Sequence, residues 1–125
     1  MNLGRVLTEE QRVGVIAKIH DELSGIKLKL PELRATIRGG EIYSDESMVA
    51  SKHEENANAM MEINRLVHRQ SLLVHALKMS DDIGFCEDCG NDVPYQRYVS
   101  NPAATCCMSC QEIREFKAKH VRQAA

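Results

Sequence analysis

CEDC at residues 86–89 and CMSC at residues 107–110 are two Cys-x-x-Cys pairs separated by 17 residues. Each pair places two thiolates on one tight turn, and two such pairs supply the four ligands of tetrahedral zinc. Four thiolates close the coordination shell and leave no position for a reactive water, which is typical of structural zinc. The spacing therefore predicts one structural zinc ion, with Cys86, Cys89, Cys107 and Cys110 as its ligands.

Two other readings of the cysteines stay open. Each Cys-x-x-Cys pair is also the spacing of a redox motif, but no βαβ pattern surrounds either pair, and the two pairs complement each other. Cys106 also offers an alternative ligand in place of Cys107, although that choice breaks the second pair. We interpret Cys106 as a small buried side chain or a free thiol.

The residues between and after the two pairs indicate a small ribbon followed by a helix. Gly90 follows the first pair, where a positive φ is needed. Residues 93–99 are predicted to form a short strand with an edge proline at Pro94. A last helix is predicted over about 109–121, beginning within the second pair.

The first part of the chain is typical of a long helix. Thr8 and Gln11 have the spacing of a capping box, which predicts a helix start near Thr8. Pro31 predicts a kink or break near Leu30, and the continuing heptad phase favours a kink. Apolar residues repeat every seven positions in two sets, which together make one seam: Ile16, Leu23, Leu30 and Ile37, and Ile19, Ile26 and Leu33.

A second helix is predicted from about residue 45 to about residue 80. The Gly39-Gly40 pair stops the first helix, and Ser44 and Asp45 are good caps for the second. Its register places the polar His53 and Asn56 near the turn. Its predicted seam consists of Met60, Val67 and Val74 with Ile63, Gln70 and Leu77, flanked by Leu66 and Leu73.

These patterns define a mainly α fold. Two long helices joined by a short loop fold back as an antiparallel α-helical hairpin, a coiled coil. We assign the hairpin to residues 1–80 with its tip at about 39–50, and a zinc-finger module with a short C-terminal helix to residues 81–125. The alternative is an ordinary amphipathic helix on a globular core, which two Phe, three Tyr and no Trp make hard to build.

Composition and motifs restrict the function. A net charge of -2 argues against general nucleic-acid binding. No signal peptide is visible and no stretch reaches the roughly 18 apolar residues of a membrane span, so we expect a cytoplasmic protein. Catalytic motifs are absent from the sequence, and His68 and His75 have no acidic partner at ligand spacing. We therefore expect no enzymatic activity.

The order of these features resembles the DksA/TraR family of bacterial transcription factors. The resemblance lies in GFCEDCG at residues 84–90, in CMSC at 107–110 and in the preceding hairpin. It implies a monomer that binds RNA polymerase directly and inserts the hairpin into the secondary channel. It also implies regulation of initiation without promoter binding, with zinc as a structural cofactor.

At the hairpin tip, the family carries an Asp-x-x-Asp-x-Ala motif, and the matching stretch here is DESMVA at residues 45–50. Asp45 and Ala50 match the motif. Met48 stands at the place of the second Asp, which the resemblance ties most closely to the transcriptional effect, and Glu46 offers a carboxylate from a different position. A solvated helix N-terminus is the alternative interpretation of these acids.

Many DksA-like members respond to the alarmone ppGpp through basic residues. At corresponding places this chain has Gln70, Asn101 and Gln111, which are uncharged, so the resemblance predicts a regulator independent of ppGpp. Arg97 and Arg114 remain basic and are candidate polymerase contacts, with plain surface arginine as the alternative.

Two other classes of protein stay open. A zinc-stabilised adaptor that binds another protein through the hairpin is favoured by Met48, as is a polymerase binder without regulatory output. A nucleic-acid-binding zinc ribbon is disfavoured by the charge and by the lack of an aromatic and basic surface.

Overall fold

The fold is built almost entirely from helices. The computed structural model describes residues 7–38 and 46–124. Over these ranges it contains no strand, and Phe85 and Asp92 form an isolated antiparallel bridge. A short 3-10 turn, Ser80–Asp82, follows the second helix. The α-helices are α1 (Glu9–Arg38), α2 (Glu46–Lys78), α3 (Tyr95–Ser100) and α4 (Met108–Ala124).

The chain is organised as two compact units. One, here called the cysteine unit, joins Met1–Ile19 to Leu73–Ala125, and the other, the hairpin unit, is His20–Leu72. The division into a hairpin of residues 1–80 and a zinc-finger module of residues 81–125 stays a prediction. The predicted Gly39-Gly40 turn and the caps Ser44 and Asp45 lie outside the described residues.

The start of α1 has the predicted capping box. The Thr8 N–H donates to Gln11 Oε1 at 3.0 Å, and the Gln11 N–H donates to Thr8 Oγ1 at 3.1 Å. The two side chains therefore satisfy donors that have no partner within the helix. α1 then continues through Pro31 without interruption to Arg38, so no break occurs near Leu30.

Ion pairs in the hairpin unit show that α1 and α2 are antiparallel. Glu22 pairs with Arg69, and Lys29 pairs with Glu62 at 3.9 Å. The partner on α2 moves back by seven residues when the residue on α1 moves forward by seven. Nearer the tip, Lys52 Nζ donates to the Thr36 carbonyl at 2.9 Å and so satisfies one of the last carbonyls of α1.

The seam of α1 agrees with its heptads, whereas the predicted seam of α2 is partly wrong. Met60, Val67 and Val74 are 46%, 41% and 39% exposed, while Leu66 and Leu73, predicted to flank the seam, are buried. The buried face is rotated by one residue, about 100°, from the predicted one. Adjacent apolar heptad sets both fit a seven-residue repeat, and only the partner helix selects between them.

The predicted strand at residues 93–99 is also wrong, because Tyr95–Ser100 forms α3. Pro94, with φ -69° and ψ 153°, occupies the extended position just before the first turn, where the lack of an N–H is harmless. Val93 and Tyr98 are buried, and the Tyr98 hydroxyl accepts a hydrogen bond from the Gly84 N–H at 2.8 Å. A strand would place Val93 and Tyr98 on opposite faces, so a helical turn is the conformation that buries both.

None of the helices formed by the described residues is both long enough and apolar enough to cross a bilayer.

Candidate metal centre

The two Cys-x-x-Cys pairs meet in space. The sulfurs of Cys86, Cys89, Cys107 and Cys110 all lie within 4.8 Å of one another, and the Cys89 and Cys107 sulfurs are 3.7 Å apart. Zn–S bonds of about 2.3 Å in a tetrahedron place sulfurs about 3.8 Å apart. The donor set and its spacing therefore fit one structural zinc.

A tight turn forms the first cysteine pair. The Gly90 N–H donates to the Cys86 carbonyl at 2.9 Å, and the Cys86 N–H donates to the Asn91 carbonyl at 2.8 Å. Gly90 has φ 75°, a left-handed conformation that glycine adopts without steric cost. The positive φ predicted for Gly90 is confirmed, and it lets the chain reverse directly after Cys89.

The second pair is formed where α4 begins. Cys107 directly precedes α4, Cys110 lies in its first turn, and the Gln111 N–H donates to the Cys107 carbonyl at 3.0 Å. Free N–H groups and the helix dipole at a helix N-terminus favour negative charge, so this position stabilises thiolates.

The four thiols influence one another electrostatically. Burial opposes ionisation of Cys86, but backbone N–H donors, among them those of Cys89 and Cys107, lower its pKa to about 6. Hydrogen bonding with the Cys107 sulfur, together with burial, raises the pKa of Cys110. One thiolate thus forms readily while further negative charge is opposed. A divalent cation removes that opposition, which is the chemistry expected of a zinc site.

Cys106 does not belong to the cluster of four sulfurs. Its side chain is fully buried, burial raises the pKa of its thiol to about 11, and its sulfur lies 3.7 Å from Asp88 Oδ2. These surroundings suit a neutral thiol rather than a metal-bound thiolate. The ligand set with Cys106 in place of Cys107 has no support in this geometry.

A charged network that the sequence analysis missed braces the cluster. Arg114 on α4 donates to both Asp88 carboxylate oxygens, at 2.7 and 2.6 Å, and to Glu87 Oε1 at 2.9 Å. His75 on α2 lies 2.9 Å from Glu87 Oε2. The two residues between Cys86 and Cys89 are thereby tied to α4 and α2. In the sequence, Arg114 lies one turn after Cys110 and two acids stand inside the first pair, but no local pattern shows that these side chains meet.

This geometry also bears on Arg97 and Arg114 as candidate polymerase contacts. Arg97 Nε donates to the Cys106 carbonyl at 3.1 Å, and Arg114 is held by Glu87 and Asp88. Both side chains thus have partners inside the cysteine unit. Their contact with a polymerase stays a prediction, and these contacts give each arginine a structural role as well.

We expect the contribution of Arg114 to stability to depend on pH. The Arg114 guanidinium lowers the pKa of Asp88; partial burial opposes ionisation of Glu87, but hydrogen bonds from Thr105, Arg114 and His75 lower its pKa as well. Because the folded protein lowers the two carboxyl pKa values, these groups stabilise the fold at pH values above their ordinary pKa values of 3.8 and 4.5. This stabilisation is lost as the pH falls through the lowered pKa values of the folded protein. Arg114→Gln should therefore lower the urea midpoint at pH 7 and progressively less below about pH 4.

The control for this substitution is Arg65→Gln, which breaks an exposed pair with Glu62 three residues away on the same helix. Such pairs contribute little, so its midpoint should stay near that of the wild type. An Arg114→Gln deficit at pH 7 that is no larger than that of Arg65→Gln would contradict the role given to the two carboxylates.

Part of the tip lies on the described portion of α2. Met48 is 50% exposed and Ala50 is exposed, while Asp45 lies outside the described residues and Glu46 begins the helix. The assignment of Asp45, Glu46, Met48 and Ala50 as the active tip stays a prediction.

The three residues that the resemblance aligns with basic ppGpp-binding residues are uncharged: Gln70, Asn101 and Gln111. Gln70 is half-buried on α2. The Asn101 side-chain oxygen accepts from the Ala103 N–H at 3.1 Å, and Gln111 Nε2 lies 3.3 Å from Glu115 Oε1. None of these groups supplies the positive charge that a highly phosphorylated nucleotide requires.

A helical protein with a four-cysteine zinc module is the class that this fold and site define. Comparison with known proteins gives the family. The model of the prokaryotic dksA/traR C4-type zinc finger matches residues 82–116. Protein TraR of Escherichia coli K12 is 35% identical over 77 residues, which are 62% of this chain and 96% of TraR. The chain belongs to the DksA/TraR family.

Other relatives match over shorter stretches. An uncharacterised 8.2 kDa protein of Escherichia phage P2 is 45% identical over 40 residues, and this chain spans about half of its length, 54%. The RNA polymerase-binding transcription factor DksA of Haemophilus influenzae is 33% identical over 42 residues, which are 34% of this chain and 29% of that protein.

One solved structure supports the fold. The structure of transcription factor DksA2 from Pseudomonas aeruginosa matches with a TM-score of 0.72 at 22% identity. The match covers 90% of this chain and 88% of the other. At this identity the likeness concerns the fold alone, and it agrees with the predicted helical hairpin followed by a zinc module.

Proposed function

We propose that this protein is a transcription regulator that binds RNA polymerase directly. The observation that carries the proposal is membership of the DksA/TraR family, together with the relative whose name describes an RNA polymerase-binding transcription factor. The four cysteines and the Arg114 network hold the cysteine unit together. In the hairpin unit, two long antiparallel helices suit insertion into a narrow channel of a large partner.

The proposed mechanism requires no catalysis by this chain. The hairpin, residues 1–80, enters the secondary channel, and the module of residues 81–125 remains outside it. The tip at Asp45, Glu46, Met48 and Ala50 then acts near the active site of the polymerase. Initiation changes without contact between this protein, a monomer, and promoter DNA, and without ppGpp, because Gln70, Asn101 and Gln111 carry no charge.

Binding is tested with purified zinc-loaded protein and bacterial core polymerase. We expect co-elution from a sizing column and competition with other proteins that bind the secondary channel. Absence of binding at tens of micromolar would refute the proposal. A gel shift on promoter DNA alone separates it from a nucleic-acid-binding zinc ribbon, since we expect no shift without polymerase.

Met48 supports a second candidate, a polymerase binder or protein adaptor with no regulatory output. Its exposed thioether offers no negative charge where the family motif has an aspartate. If this candidate is right, Met48→Asp will create an effect on transcription that the wild type lacks, while binding to the polymerase changes little.

The measurement is transcription in vitro from a ribosomal-type promoter with wild type, Met48→Asp and Asp45→Asn. Met48 is half-exposed and aspartate is favoured in a first helical turn, so the substitution should not disturb the fold. If wild type and Met48→Asp affect transcription equally and Asp45→Asn has no effect, the result would instead support a regulator that works through Asp45.

A further inference from the structure

Between residues 50 and 74, one exposed face of α2 carries no Asp, Glu, Lys or Arg. Its residues recur every three or four positions, so they form a single line along the helix. All of them are exposed, with Met60 at 46% and Val67 at 41%. We call this line the neutral stripe: Ala50, His53, Ala57, Met60, Asn64, Val67 and Ser71.

Along the central part of the neutral stripe, the charged residues of α2 lie off this line and form ion pairs. Between Ala57 and Ser71 the charged residues are Glu62, Arg65 and Arg69, and each takes part in an ion pair. Glu62 and Arg69 pair with α1, so that they lie beside the seam. A solvated helix face ordinarily carries charged side chains. The neutral stripe instead has the three-four spacing of a coiled-coil seam, although α1 leaves it uncovered.

The size and position of the neutral stripe indicate what covers it. A stable protein interface uses roughly 20–30 residues on each side, far more than the seven residues of the stripe, so a second copy docked on this line alone would not form a stable dimer. A partner that covers the stripe in a stable complex therefore has to contact other parts of this chain as well. It is continuous with Ala50 on the same helix, and Ala50 belongs to the tip that the proposed function brings to the polymerase.

We propose that the neutral stripe is the face of α2 that lies against RNA polymerase, on a surface made of uncharged, mainly apolar side chains. This inference rests on the proposed function and deepens it. Charges facing the stripe would lose water without gaining a partner, which is unfavourable, whereas apolar groups pack against Met60 and Val67 without that cost. Asn64 supplies a single side-chain amide on this line, which helps to set the register of the contact.

The test adds charge to the stripe without removing buried contacts. In the full-length, zinc-loaded chain, Met60→Glu combined with Val67→Glu should weaken binding to core polymerase by at least about tenfold, because two carboxylates lose water at an apolar contact. Glutamate is a good helix former, so α2 should persist, as circular dichroism and zinc content will show. The matched control is Leu28→Glu on α1, at 74% exposure, which should change the dissociation constant by less than about twofold.

Each outcome decides the matter. Weaker binding by the double variant, with the control unchanged and both variants folded, supports the inference. If the wild type binds and the double variant binds equally well, this inference is wrong and the proposed function stands. If the wild type does not bind, both fall. If sedimentation shows a wild-type dimer that the double variant loses while polymerase binding is unchanged, a second copy occupies the stripe and the inference is overturned.

Discussion

Replacing Cys86 with serine should remove the zinc and unfold the cysteine unit. Cys86 is 3% exposed, and although burial opposes ionisation of its thiol, the backbone N–H groups of Cys89 and Cys107 lower its pKa. Zinc contributes on the order of 10 kcal/mol to small modules that fold with it, which is comparable to the whole stability of an ordinary domain of about 5–15 kcal/mol. We expect zinc to fall from one ion per chain to near zero, with a large loss of helical circular dichroism. Excess chelator should reproduce this loss in the wild type.

Cys106→Ala is the matched control for this experiment, because it also removes a buried thiol from the same unit. We expect it to retain one zinc per chain and to cost only the stability lost with a small buried group, about 1 kcal/mol. Loss of zinc from Cys106→Ala, with retention in Cys107→Ala, would show that Cys106 is the ligand.

The second large effect is expected in the core. Leu73→Ala removes a side chain that is fully buried, and such truncations cost about 2–5 kcal/mol because they leave a cavity. Leu72→Ala is its matched control, since the same change is made one residue earlier at 42% exposure. It should cost less than about 1 kcal/mol. Urea unfolding of the zinc-loaded proteins measures both values.

Truncation of two valines on α2, compared with Leu73→Ala, tests which face of the helix is buried. If Val74→Ala and Val67→Ala prove as destabilising as Leu73→Ala, the seam lies where the heptads of Met60, Val67 and Val74 placed it. The exposures of 41% for Val67 and 39% for Val74 predict the opposite, a clear excess for Leu73.

The zinc site and the start of the first helix could be predicted from the sequence because their signals are local. Thr8 and Gln11 stand three residues apart, and the side chain of each accepts a hydrogen bond from the backbone N–H of the other within a single turn. Gly90 adopts the positive φ expected after the first cysteine pair. The four-cysteine zinc module needs only two short turns of known geometry, so its spacing alone predicts the chemistry.

The Arg114 network was not predictable in the same way. Arg114 lies 26 residues from Asp88 and 27 from Glu87, and its partners are known only once α4 has been placed against the first cysteine turn. In the sequence it is one of many charged residues, so the sequence indicates only a polymerase contact or a plain surface arginine.

The amino-acid sequence by itself determined the helices α1, α2 and α4, the pairing of the cysteines around one zinc, and the family. Tertiary structure alone decided which of two apolar faces of α2 is buried, why residues 95–100 form a helix, and where Arg114 is held. The physical reason is the range of each interaction. Caps, turns and ligand spacing act within a few residues, whereas burial of Leu73 or Tyr98 depends on surfaces that distant parts of the chain supply only after folding.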